Sequence, residues 1–167
     1  MKHVKVPQDR IGVLIGEGGE TMREIERQAE VRLDIDSESG AVAIDVVGDP
    51  VSGMLAPDIV RAIGRGFTPE SALSLLDDDL RTFELVDLDS HTRNKNDLRR
   101  QKGRLIGEDG RTRELMEELT GAEVVIKGST LGVIGQQEEV NAVRRAVGMI
   151  LDGAPHGAVY SFLERKH

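Results

Sequence analysis

Apolar and polar positions along this chain repeat with a period of two in some stretches and close to 3.6 in others, and their order predicts the elements. His3 to Val6 alternates and stops at Pro7, as a short strand does. Asp9 is placed to cap a helix through Ile15; a glycine-framed loop follows, and Met22, Ile25 and Ala29 form a helical stripe that should end near Glu30. Val31, Leu33 and Ile35 alternate with Arg32 and Asp34, which predicts a half-buried strand, and Ser37 to Gly40 turns into a second strand, Ala41 to Val47. Asp49-Pro50 starts a helix that Pro57 should kink or split before Gly64. Thr68-Pro69-Glu70 caps another, reaching about Leu76.

The pattern then starts again. Thr82 to Leu88 reads as a strand, and His91 to Arg104 is a basic insertion, helical toward its end. Leu115, Met116 and Leu119 make the next stripe; Ala122 to Lys127 and Thr130 to Ile134 are strands. Glu138 to Leu151 is a helix with Val140, Val143, Val147 and Ile150 inward, and Pro155 starts a last short helix to about Arg165. The correspondence is literal at the loops: VLIGEGGET from Val13 recurs as RLIGEDGRT from Arg104, 91 residues later, and the register holds without a gap to Ile35 and Ile126. A fixed self-similarity means two copies of one supersecondary unit. The boundaries it suggests are 1–66, a connecting helix and acidic run over 67–80, and 81–167.

Each loop has glycine at both ends and a helix opening directly after it, at Glu20 or Arg111. Glycine takes positive φ cheaply and lets another backbone approach, while a helix start offers unpaired N–H groups and the positive end of a dipole. Together they make a cradle for an anionic backbone. A dinucleotide-binding loop does not fit, because Gly16-Glu17-Gly18-Gly19 follows a helical segment rather than a strand.

Composition narrows the classes. With three Phe, one Tyr and no Trp, stacking on an aromatic sheet or barrel is disfavoured, whereas a groove lined by aliphatics is not. The absence of Cys excludes disulfides and thiolate metal sites, and the histidines at 3, 91, 156 and 167 lack ligand spacing, so no metal and no cofactor are expected. No nucleophile elbow, phosphate-binding lysine loop or paired-carboxylate pattern supports a catalytic site. No signal peptide or membrane-length apolar run is present, so a soluble, cytoplasmic monomer is expected.

The net charge of −8 argues against nucleic acid until its distribution is read. Residues 93–113 hold eight basic and three acidic side chains, while 9–27 hold three and five. The copies are not electrostatic equals. A carboxylate about 6 Å from a phosphate costs roughly 0.7 kcal/mol in water, so cations around the second loop can outweigh Glu108 and Asp109.

Both copies resemble the type I KH domain, an RNA-binding module of strand, helix, GxxG loop, helix, strand, strand, helix whose loop clamps about four nucleotides. AIGRGFTPESALSLLDDD from Ala62, KGRLIGEDGRTRELMEELTGAEV from Lys102 and GAPHGAVYSFLE from Gly153 resemble archaeal members of the partner-of-Nob (Pno/Dim) family of ribosome-assembly proteins. The resemblance implies an α+β fold of two type I KH domains in tandem, each a three-stranded sheet packed by three helices, with connecting and C-terminal helices. It implies the 3′ end region of 16S small-subunit rRNA as target. The Nob endonuclease and the alpha subunit of archaeal initiation factor two are the implied partners.

Within that frame the second copy is expected to hold RNA. Gly107 and Gly110 would lie against phosphates, with Gly103, Glu108 and Asp109 beside them, and Lys102, Arg104, Arg111 and Arg113 as counter-charges. Ile106, Leu115 and Val124 would line the groove. Gly16, Glu17, Gly18, Gly19 and Arg65 would form a second groove or a face for a protein partner. A generic tandem-KH protein for another RNA, and an interaction scaffold that has lost RNA binding, remain open.

Overall fold

A computed structural model describes residues 1–165, which fold as two units, residues 1–81 and from Thr82 onward. The first unit runs β1 (Lys2–Lys5), α1 (Gln8–Ile15), α2 (Glu20–Ala29), β2 (Val31–Ile35), β3 (Ala41–Val46), α3 (Pro50–Met54), α4 (Ala56–Gly64) and α5 (Pro69–Leu73). Its strands lie in the order β1-β3-β2, and both neighbouring pairs are antiparallel. The register sets Val4 opposite Val42 and Leu33 opposite Ile44, so period-two alternation buries all four side chains on one face. Ile25, Ala29, Ile59 and Ile63 on the helices are likewise fully buried.

One local expectation needs correction. The N-cap position of α1 is Pro7, without a side-chain hydrogen bond, and Asp9 sits inside the first turn, where its charge still favours the dipole. The helix from Pro50 is split ahead of Pro57, as expected: α3 closes at its C-cap Leu55, and Pro57 falls in the first turn of α4, where its missing N–H costs nothing. The Asp49 cap forms as read, its carboxylate accepting from the Val51 amide at 3.2 Å. Phe67, Ala72 and Leu75 are buried within the first unit, so its core extends through α5.

The second unit repeats the order: β4 (Arg81–Asp87), α6 (Lys95–Ile106), α7 (Arg111–Thr120), β5 (Glu123–Lys127), β6 (Thr130–Gln136), α8 (Gln137–Leu151) and α9 (His156–Arg165). The strand order is β4-β6-β5. Val140, Val143, Val147 and Ile150 of α8 are buried together with Leu105, Met116, Leu131, Val159 and Leu163. An identical device ties the second helix to the next strand in both units. The Glu26 carboxylate accepts from the Leu33 amide at 2.9 Å, and Glu117, 91 positions on, accepts from Val124 at 2.8 Å. Two three-stranded sheets packed by helices in this element order make the chain α+β, with the type I KH topology written twice.

Candidate nucleic-acid interface

The helix before each loop ends because its next residue is a glycine in a conformation closed to other residues. Gly107 has φ 79 and ψ 169, and Gly16 has φ 76 and ψ 172. A Cβ on Gly107 would stand 2.2 Å from Thr112 Oγ1 and 2.6 Å from the Thr112 amide nitrogen; on Gly16 it would stand 2.3 Å from Thr21 Oγ1. One tight turn follows, closed by Gly110 N–H donating to the Gly107 carbonyl at 3.1 Å. Gly110, left-handed at φ 75, then starts α7 with no side-chain cap. The first amides of α7 are therefore not covered by a capping side chain.

The middle of the turn differs between the units. Where the first has Gly18 at φ 61, the second has Asp109 at φ 55. Asp is among the few residues that tolerate this region. Glu108 and Asp109 are exposed, and Gly107 and Gly110 are half-buried, so the loop lies open to solvent.

Behind the loop stands α9, which the sequence offered no reason to place there. Tyr160 shares a 2.9 Å hydrogen bond with the buried Thr112 hydroxyl, and His156 pairs with the Arg104 carbonyl at 2.9 Å and stacks on Tyr160. These contacts hold the end of α6 and the start of α7, which are the two sides of the loop. His3 and His91 are exposed, and His167 lies outside the described residues. Among the described residues no group of three or more His, Cys, Asp or Glu could hold a metal ion, and no helix is long and apolar enough to cross a membrane.

The structure sorts the expected counter-charges. Arg104 donates to the Ile150 carbonyl at 2.5 Å and to that of Ala154, so its guanidinium fastens α6 to the end of α8. Arg113 is paired with Glu117 at 2.8 Å. Arg93 and Arg100 both serve Asp97, whose carboxyl the Arg93 amide and the Arg100 guanidinium hold below the usual carboxylate range. Lys102, half-buried, and Arg111, exposed, have no hydrogen bond or ion pair among the described residues. In the first unit Arg10 is spent on the Ile63 and Phe67 carbonyls, both at 2.8 Å, while Arg23 lies against Gly19. Arg65, half-buried, caps the end of α4.

Of the expected groove residues, Ile106 is 36% exposed and Leu115 is half-buried, but Val124 is only 1% exposed. Val124 belongs to the core, because strand alternation turns it into the buried cluster of the second unit, and it does not offer a base the surface expected of it. Ile126, two residues on, is only partly buried on the same face.

Gly103, one turn before the loop, is among the residues expected to hold RNA. A Cβ there would meet nothing within 4 Å, and the same holds for Gly12 in the first unit. Among the described residues no protein group requires glycine at either position, although glycine inside a helix costs roughly 0.5–1 kcal/mol relative to Ala. Close approach by a ligand backbone is what such a glycine permits. Replacing Gly103 by Ala is accordingly expected to raise stability by about 0.5–1 kcal/mol in chemical denaturation while weakening RNA binding. Unchanged binding in the stabilised variant would remove Gly103 from the site.

Two units of β-α-α-β-β-α, each with an open GxxG turn between its first helices, define a tandem type I KH protein. Residues 82–167 match the family model of a eukaryotic-type KH domain (KH domain type I) for the second domain of the PNO1 group, and residues 1–55 match the KH domain model. The chain belongs to the Pno1/Dim2 family. It is 45% identical over 98% of its length to a KH domain-containing protein of Methanocaldococcus jannaschii, and spans 72% of that relative. It is 37% identical over 65% of its length to the pre-rRNA-processing protein pno1 of Emericella nidulans, of which it spans 43%.

Among solved structures, Dim2p of Pyrococcus horikoshii superposes with a TM-score of 0.91 at 42% identity, each chain 98% covered. The a/eIF2alpha–aDim2p–rRNA complex from the same organism gives a TM-score of 0.92 at 41% identity, covering 99% of this chain and 92% of the other.

Proposed function

We propose that this chain is an RNA-binding ribosome-assembly factor that grips single-stranded small-subunit rRNA, at its 3′ end region, through the loop Gly107–Gly110. The observation that carries the reading is the open, glycine-built turn with two unpaired cations, Lys102 and Arg111, at its sides and an empty flank at Gly103. Names of relatives support it: Emericella pno1 is a pre-rRNA-processing protein, and the Pyrococcus protein is seen in a complex with rRNA. Ile106 and Leu115 supply an aliphatic surface for bases, and the chain binds rather than catalyses.

The first unit is read as the protein-docking half. It carries nine basic and sixteen acidic residues over 1–81, against thirteen and fourteen over 82–167. Its loop, Gly16 to Gly19, contains Glu17 and is followed by Glu20, and Arg10 is already engaged. An a/eIF2alpha-type protein is one partner, supported by the Pyrococcus complex. A Nob-type endonuclease is the other, supported by the family resemblance alone, and the setting is the cytoplasm. Binding of three to five phosphates gives log K against log salt a slope of roughly −2 to −3.5, at about −0.7 per phosphate for single strands. Filter binding of an rRNA 3′-terminal oligomer at several salt concentrations measures it. A flat plot would sink the proposal.

A further inference from the structure

Eight cations lie between Arg93 and Arg113, and the structure pairs four of them with protein: Arg93 and Arg100 with Asp97, at 3.9 and 2.8 Å, Arg104 with the Ile150 and Ala154 carbonyls, and Arg113 with Glu117. The other four, Lys95, Arg99, Lys102 and Arg111, have no hydrogen bond or ion pair among the described residues. Their placement is not scattered. Lys95, Arg99 and Lys102 follow i, i+4, i+7 spacing on α6, and the next position of that row is Ile106, at the loop. The row lies away from Asp97, Gln101 and Leu105, the buried positions of α6, and runs about 16 Å from Lys95 to Ile106 at 1.5 Å per residue.

Inside the protein this row is unfavourable. Like charges four residues apart repel, and Lys95 sits in the first turn, at the positive end of the helix dipole. The first unit has no such row: Gln8 and Ile11 occupy the positions of Arg99 and Lys102, and α1 begins only at Gln8. The longer helix and the added charge therefore occur together, in the unit read as the RNA clamp.

We propose that α6 is a rail for the RNA backbone. It carries a single strand beyond the roughly four nucleotides of the groove, and Lys95 and Arg99 each take one further phosphate. The proposal rests on the reading of Gly107–Gly110 as the RNA clamp. Two added contacts steepen the salt slope by about 1.4, so that a fourfold rise in salt, from about 50 to 200 mM, costs the longer strand about sevenfold more affinity than the short one.

The test uses the full chain and a labelled oligomer of about four nucleotides from the rRNA 3′ end, alone and lengthened by about four uridines at either end. One extended oligomer is expected to bind more tightly and with the steeper slope. Lys95→Gln with Arg99→Gln is expected to erase that gain and to leave the short oligomer's affinity as it was. Equal slopes for short and extended oligomers overturn the rail while leaving the clamp in place. A gain that survives the double substitution puts the added phosphates elsewhere and also overturns it. If the short oligomer itself fails to bind, the clamp falls, and the rail with it.

Discussion

Gly107→Ala is expected to destabilise the second unit by roughly 2–6 kcal/mol. Two costs add. A φ of 79 with ψ 169 is a region essentially reserved for glycine, and forcing another residue there costs about 1–3 kcal/mol. The new methyl would also stand 2.2 Å from Thr112 Oγ1 and 2.6 Å from a backbone nitrogen, and relieving such overpacking costs about 1–3 kcal/mol more. Thr112 cannot simply rotate away, because its hydroxyl is tied to Tyr160 and it is only 2% exposed. Gly16→Ala should do the same to the first unit, where Thr21 occupies the equivalent place. Urea unfolding of the two variants beside Gly103→Ala gives the comparison: three glycine-to-alanine changes, two strongly destabilising and one stabilising. A Gly107→Ala protein as stable as the parent would mean that the turn is not built as described.

The second large effect concerns binding. Lys102→Glu with Arg111→Glu reverses the two unpaired cations beside the loop. At about 6 Å each reversal changes the interaction with a phosphate by about 1.4 kcal/mol in water, which is about tenfold, and screening reduces it. The pair should therefore weaken RNA binding by about 10- to 100-fold at low salt and flatten the salt slope by about 1.4. Reversal of Arg23 and Arg27 in the first unit serves as the comparison, since it changes net charge equally. Arg27 is an exposed partner of Glu24, and a surface pair of that kind contributes little to stability. Little loss is expected there. Equal losses in the two double variants would assign RNA to both loops or to neither.

The duplication was legible because the loops impose a steric requirement, glycine at fixed offsets, that a single chain states twice. Strand and helix periods were legible for the same reason that Val4, Val42, Val143 and Val147 are buried: burial on one face dictates the period. The charge of the site was less so. A count of eight cations treats them as equivalent, whereas Arg104 meets its carbonyl partners 46 and 50 residues away, and no local spacing announces such a pair. Asp97 illustrates the converse, a carboxylate 8% exposed that stands in the first turn of a helix capped by Asn94 and organises two arginines within a basic stretch. Val124 was misplaced because alternation gives two faces without saying which one meets helices. Tyr160 and His156 lay in a segment whose pattern shows a helix but not its neighbour, and only the packing of α9 brings them behind the loop.

Photo-crosslinking of a uridine-bearing rRNA 3′-terminal oligomer to the full chain, with the crosslinked peptides mapped by mass spectrometry, tests the central claim most directly. The expected result is crosslinks within residues 102–115. Crosslinks confined to residues 16–23, or found only outside both loops, would contradict it.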